Sequence, residues 1–597
     1  MDFNKLKSDF KINIPNLSLF AKLANQPIKG KLDIDGKAFL DRKRAVTQIL
    51  ASTKSFGGES KIFFNTNPLK ARVINIDLKK IAHMAGLPPI FKNGKATIKA
   101  NIKDLKSLNG AYSLKVVGNL DRKTLEKEYK IDPIKERFSL ASAGAIKDGI
   151  VKAKTVLKSP LVIANLTKTE YSIKTGALKT NYYLKALELS KLKSLTQTEL
   201  KGSFATSGEA TINPKTKALR VVGSSKSLGG VLSYDYRGKE IALKLKSVDG
   251  VKLLRLLNQK AYLKSSLING SINLTDTKNL SGVFNINSNG KLNQALIKKE
   301  NKTDLGSDLP YKLSIKGNII SNKLSSKLNL STPLATLKVK PLNYDLNSKK
   351  VIGEYALNIP NLLKLEPILE SKYYGSLTLN GQFWMDKVFH LTGESKKWQG
   401  ILKFRLDDDK LNANVNGAQM VDIFKTLGYQ PLLIGKADAS LKYNLTTQNG
   451  NAKVTLDKSR LVRNSLIKAM DLVIHKDLTK EIFNNAVLLS KISKDLVNFD
   501  FDMKSNKHRV LIKNGKIDRK KSRIDAVVSF FDGKKEYKAK LKGNLKSPKL
   551  IPVLNSTLKK RAIKEATHLL KKNGVKVDKI EKKIEKVVPK NLIRGLF

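Results

Sequence analysis

The sequence predicts a mainly β protein: an elongated, repetitive antiparallel β-meander curved into an open hydrophobic groove, with short helices at repeat starts and a C-terminal amphipathic helical tail. Three observations carry this expectation. Apolar and polar residues alternate over long stretches, as in Lys95-Ala96-Thr97-Ile98-Lys99-Ala100-Asn101-Ile102-Lys103, the pattern of half-buried strands. Asn-Gly pairs, which favour tight hairpins, punctuate those stretches at Asn93-Gly94, Asn109-Gly110, Asn269-Gly270, Asn289-Gly290, Asn380-Gly381, Asn416-Gly417, Asn449-Gly450 and Asn514-Gly515. The whole pattern also returns with a period of 172–173 residues, the mark of a repeat protein.

The period is read first from strands framed by glycines: Gly30 to Gly36, Gly202 to Gly208 and Gly375 to Gly381. Each is expected to be a strand entered and left through turns. Asp77, Asp249 and Asp422 keep the same spacing, and each is expected to open a short apolar helix. Gly57-Gly58 returns as Gly229-Gly230, with Trp398 before Gly400 as a shortened third copy. Pro160 to Leu192 matches Pro333 to Leu365 without a gap, aligning Tyr171 with Tyr344 and Tyr182 with Tyr355. The expected organisation is three β-groove units, 1–172, 173–345 and 346–520, then terminal strands 521–555 and a helical tail 556–597. Each unit reads as two half-units that begin with helical runs such as Asp77 to Ala85, Val251 to Leu257, Leu362 to Leu369 and Asp422 to Leu427.

Composition narrows the function. A chain of 597 residues exceeds a single core, and 41% hydrophobic residues is too many for simple disorder. With no cysteine, disulfides and thiolate metal sites are excluded. No run approaches the roughly 18–20 apolar residues of a membrane span. The net charge of +62 is spread over alternate strand positions rather than gathered in a patch. A solvated lysine face explains it first, attraction to an anionic membrane surface second, and nucleic acid last, because no aromatic-basic platform accompanies the lysines.

The strand faces are unequal: Leu313, Ile315, Leu324, Leu328 and Leu330 lie on one side, with Lys312, Ser314, Lys316, Lys327 and Asn329 on the other. A one-faced sheet must cover that face, and two short helices per unit cannot. Closed barrels, sandwiches or an open groove remain. Repetition without linkers favours the groove. Its lining is represented by Ile98, Ala100, Ile102, Leu313, Ile315, Leu328, Leu330, Leu337, Val339, Leu377 and Leu379. In the tail, Leu569, Leu570, Ile584, Val588, Leu592, Ile593, Leu596 and Phe597 form the apolar side of basic helices. That side either caps the open end of the array or touches a membrane.

Catalytic signatures are missing. His83, His390, His475, His508 and His568 have no metal-ligand spacing. Asp33-Ile34-Asp35-Gly36 carries part of a calcium-loop pattern that its copies lack, and reads as a strand ending in a turn. Asp407-Asp408-Asp409 reads as a hairpin tip. No phosphate loop, dinucleotide fingerprint or nucleophile elbow occurs. The expectation is a protein that is not an enzyme and carries no cofactor or metal.

The one-faced meander, the entry phrases Ile14-Pro15-Asn16-Leu17 and Ile359-Pro360-Asn361-Leu362, the Gly30/Gly202/Gly375 strands and the Lys590 to Phe597 ending resemble the AsmA-like family, within the repeating β-groove, bridge-like lipid-transfer superfamily. The resemblance spans nearly the whole chain and is one of architecture and cadence. It implies a Gram-negative envelope protein that binds and conducts phospholipid between inner and outer membranes, working with envelope partner proteins in outer-membrane biogenesis. Such proteins carry an N-terminal anchor, which is not in this sequence. The implied location is the periplasm, at the inner membrane if an anchor has been lost, or the cytoplasm if the chain is complete. The alternatives are an envelope scaffold without lipid cargo and a basic nucleic-acid-binding protein. With roughly 30 strands about 4.8 Å apart, such a groove would exceed about 100 Å.

Overall fold

The computed structural model describes residues 4–21, 27–88, 90–129, 137–193, 198–464, 467–468, 470–471 and 476–553. The tail 556–597 and its eight candidate contact residues therefore lie outside the described residues, as do His475 and His568. Two compact units divide the chain: Met1–Ile297 with Asp308–Asn322, and Lys298–Ser307 with Lys323–Phe597. The division falls inside the second 172-residue period.

Unit one contains strands β1 (Lys5–Ile14), β2 (Leu32–Asp41), β3 (Val46–Thr53), β4 (Glu59–Asn65), β5 (Leu69–Asp77), β6 (Phe91–Asp104), β7 (Asn109–Leu120), β8 (Arg137–Lys147), β9 (Ile150–Lys158), β10 (Val162–Ser172), β11 (Leu178–Ala186), β12 (Phe204–Ile212), β13 (Leu219–Ser225), β14 (Val231–Arg237), β15 (Glu240–Asp249), β16 (Leu263–Asp276), β17 (Ser281–Leu292) and β18 (Pro310–Ile320). Unit two contains β19 (Lys323–Ser331), β20 (Thr336–Asp345), β21 (Val351–Ile359), β22 (Leu377–Met385), β23 (Phe389–Ser395), β24 (Ile401–Asp407), β25 (Lys410–Gln419), β26 (Leu433–Asn444), β27 (Asn449–Leu461), β28 (Phe483–Ser493), β29 (Leu496–Lys504), β30 (His508–Asp518), β31 (Arg523–Asp532), β32 (Lys535–Asn544) and β33 (Ser547–Pro552). Within each unit every strand pairs antiparallel with the next in sequence. Among the described residues the first and last strands of a unit do not pair with each other, so neither sheet closes into a barrel.

The same local device enters β2, β12 and β22. A 3-10 turn, Leu17–Phe20, Leu189–Leu192 or Leu362–Leu365, is capped by the side chain of Asn16, Glu188 or Asn361. The first N–H of each turn then donates to the carbonyl of Gly30 (2.7 Å), Gly202 (2.8 Å) or Gly375 (2.8 Å). These glycines sit two residues before their strands, with φ of +93°, +85° and +85°. A side chain is strained in that conformation, so the backbone geometry itself requires glycine.

The helical runs form where alternation stops: α1 (Leu78–Met84), α2 (Gly250–Leu256) and α3 (Met420–Leu427). Asp77 and Asp249 cap the first two, accepting hydrogen bonds from the N–H groups of Lys79 and Lys80 and of Val251 and Lys252. Such caps stabilise a helix by about 1 kcal/mol. The third helix departs from expectation. Its N-cap is Gln419, whose side chain makes no capping bond, and Asp422 lies inside the helix. The chain is three residues shorter here than the 173-residue spacing requires.

Two further expectations are corrected. Gly36, Gly208 and Gly381 do not end their strands, which run on to Asp41, Ile212 and Met385. Most Asn-Gly pairs also lie within strands rather than between them; only Asn109-Gly110 and Asn449-Gly450 begin one. Inside strands the pairs tolerate bulges: Asn416-Gly417 and Asn514-Gly515 sit at register shifts, with Gly417 at φ +63° and Asn514 at φ +54°.

Candidate functional site

Directly opposed residues in an antiparallel ladder point to the same side. Following the ladder across unit one therefore traces one face. Val73 opposes Ile98, then Leu114, Ser142, Thr155, Leu166, Tyr182, Gly208, Gly223, Tyr234, Leu243, Ile272, Phe284 and Gly317, one residue from each of β5 to β18. This row is uncharged throughout. Ile98, Ala100 and Ile102 on β6 and Leu313 and Ile315 on β18 flank or belong to it, so the five share one face.

In unit two Leu328, Val339, Tyr355, Gly381, Gly393, Phe404, Ala413, Leu441, Ala452, Ser490 and Phe499 make a second such row. Beside it run Leu330, Leu337, Leu357 and Leu379, and Leu377 pairs with Ile359 on the same side. Of the eleven predicted lining residues, ten are half-buried and Val339 is buried at 4% exposure. Leu357, Phe383, Phe404 and Tyr182 belong to the same faces and were not among them.

Several glycines on this face are roofed by aromatics. A Cβ at Gly36 would meet the Phe10 ring, one at Gly208 or Gly223 the Tyr182 hydroxyl, and one at Gly393 the Phe404 ring and Tyr355 hydroxyl. The hydroxyls are then satisfied locally: Tyr182 and Thr206 each lie 2.6 Å from the Tyr234 hydroxyl, and the Tyr355 hydroxyl donates to the Thr392 carbonyl at 3.0 Å. Burial, and then the neighbouring Tyr234, push the Tyr182 phenol above its ordinary range. The signal that finds these residues in sequence is the second glycine of each framed strand together with the matched tyrosines.

Coverage of the face differs along the chain. In unit one, α1 shields a small buried cluster of Ile76, Leu78, Ala96, Val116 and Phe138, against which Ile98 and Leu114 pack. In β26 to β33 a single buried cluster takes over, with Met503, Val510, Val528 and Phe530 at 1–6% exposure. Ile467, Met470 and Leu478, from the segment after β27, and Phe483, the first residue of β28, complete it. The strands before β26 have no comparable cover among the described residues.

The opposite face is basic. Lys61, Arg72 and Lys99 oppose one another directly across β4, β5 and β6, and Lys95, Lys99 and Lys103 are exposed. A depression of about 760 Å3 on the polar side of unit two is bordered by Lys338, Lys340, Glu354, Asn380, Glu394 and Lys396. Among the described residues no group of three His, Asp or Glu side chains is placed to hold a metal ion. His390 hydrogen-bonds Asp407 at 2.5 Å and stacks on Trp384; hydrogen bonds from Arg405 and then His390 hold the Asp407 carboxyl down to about 2. His508 is buried against Phe530, with Glu481 at 3.3 Å and Asp532 at 3.4 Å. His83 is exposed on α1. Asp408-Asp409 forms the tip between β24 and β25. No described helix is long and apolar enough to cross a membrane. No protein-family model matches the chain, and no curated protein matches it.

Proposed function

We propose that this chain is an AsmA-like envelope protein that holds phospholipid acyl chains along its uncovered apolar face and conducts them between inner and outer membranes. One observation carries the reading: an uncharged row crosses β5 to β18, half-buried except at the buried Tyr182, and no buried cluster among the described residues of unit one is large enough to cover it. Leaving such a face in water costs about 25 cal/mol per Å2. A two-chain lipid of roughly 30 methylenes faces a cost above about 20 kcal/mol in water by the same scale, at about 0.8 kcal/mol per methylene. Each offsets the other's exposure. Seventeen ladder steps of about 4.8 Å give unit one a contour of about 80 Å. The basic opposite face suits an anionic membrane surface and keeps the protein soluble while loaded. The implied setting is the periplasm, with envelope partner proteins at either membrane.

A second reading, an envelope scaffold without cargo, is favoured by the buried cluster of β26 to β33, where the face packs on its own chain. Transfer of a fluorescent phospholipid between vesicles separates the two. The lipid reading expects transfer that scales with protein concentration. Transfer no faster than without protein leaves the scaffold.

A further inference from the structure

Resting on the lipid reading, we infer that the apolar path is blind at its C-terminal end: acyl chains lie along the face as far as β25 and are shut out of β26 to β33. The row that passes through Phe404 on β24 continues by direct pairing to Phe499 on β29. The chemistry of the face is the same at both ends. Its cover is not. Phe383 and Phe404 are half-buried, whereas Phe499, Met503, Val510 and Phe530 are 1–8% exposed within one cluster.

Leu478 and Phe483, at 1% and 0% exposure, come from the chain that leaves β27 and enters β28 and fill the place a lipid chain takes elsewhere. Ile467 and Met470 precede them in the same segment. Protein interiors pack like organic crystals, so an acyl chain enters this region only by displacing side chains that already satisfy one another. His508 adds a polar wall: its ring stacks on Phe530 between Glu481 and Asp532. A path closed in this way does not deliver lipid through its last strands. Cargo leaves sideways before β26 or returns towards the earlier strands.

The test places a photoreactive benzoyl-phenylalanine in the full chain at four aromatic positions, so that shape is nearly kept. Phe383 and Phe404 report on the uncovered stretch; Phe501 and Tyr537, which pack against the buried cluster, report on the closed end. The proteins are illuminated with vesicles of radiolabelled phosphatidylethanolamine and phosphatidylglycerol. The inference expects lipid adducts at Phe383 and Phe404 and only background at Phe501 and Tyr537. Comparable adducts at all four positions overturn the blind end while leaving the lipid reading intact. Background at all four overturns the lipid reading itself. Hydrogen exchange of the unmodified protein is the check against misfolded variants: the vesicles should protect amides of β22 to β25 and leave those of β29 to β32 unchanged, and added protection in β29 to β32 also overturns the blind end.

Discussion

Replacing Leu337 by aspartate should abolish lipid transfer while sparing the fold. Leu337 lies between Leu330 and Leu357 on the uncovered face of unit two, with Leu379 one strand beyond. It is half-buried, so its loss removes about half the 1.5–3 kcal/mol of a fully buried leucine, or about 1 kcal/mol of stability. A lipid chain running across the strands loses far more. One ladder step of about 4.8 Å accommodates about four methylenes, and a carboxylate there forfeits their burial, about 3 kcal/mol or on the order of a hundredfold in occupancy for each acyl chain. Lys338, the next residue, points to the exposed polar side, and Lys338→Glu should change little because exposed charges contribute weakly. The assay is fluorescent-lipid transfer, with circular dichroism to confirm that strand content survives. Unchanged transfer in Leu337→Asp, or equal loss in both variants, would refute the reasoning.

Other expectations follow from the same geometry. Gly381→Ala should destabilise unit two by about 1–3 kcal/mol, because its Cβ meets the Thr392 carbonyl and Gly393, whereas a Cβ at Gly533 meets nothing and costs only its left-handed backbone, about 1 kcal/mol; urea titrations followed by Trp384 and Trp398 fluorescence compare them. Phe530→Ala should cost about 3–5 kcal/mol in the same titration, and half-buried Phe383→Ala about half as much; equal costs would deny the difference in cover. Tyr182 is raised by burial, so its neutral form is the one the fold prefers. Its contribution is complete below the unfolded value of about 10 and is lost as pH rises above it. Tyr182→Phe should therefore lose stability less steeply than the wild type above about pH 10, and an identical slope would remove Tyr182 from the account.

Much of the architecture was legible because strand alternation is a local signal. Lys95 to Lys103 reads as a strand and is one, and the helices at Asp77 and Asp249 begin where a capping aspartate precedes an apolar run. The misread glycines show where local signals end. Gly381 looks like a turn residue, but a Cβ there would strike the Thr392 carbonyl of the next strand, a contact set by the register of the β22–β23 hairpin and not by the residues beside Gly381. Asn-Gly serves bulges as readily as hairpins, and the two look alike in sequence. Coverage was least legible. Ala539 and Leu541 alternate with Lys538, Lys540 and Lys542 just as Leu377 and Leu379 alternate with Thr378 and Asn380, yet the first pair is buried and the second half-exposed. The difference is made by Ile467, Met470, Leu478 and Phe483 folding onto one stretch and not the other.

Native mass spectrometry of the purified full chain, released gently from detergent-free solution, tests the central claim most directly. The account predicts a population heavier than the bare chain by whole phospholipid masses, and that population should disappear in Leu337→Asp and persist in Lys338→Glu. A wild-type chain that flies bare, with no lipid recovered on solvent extraction, would contradict it.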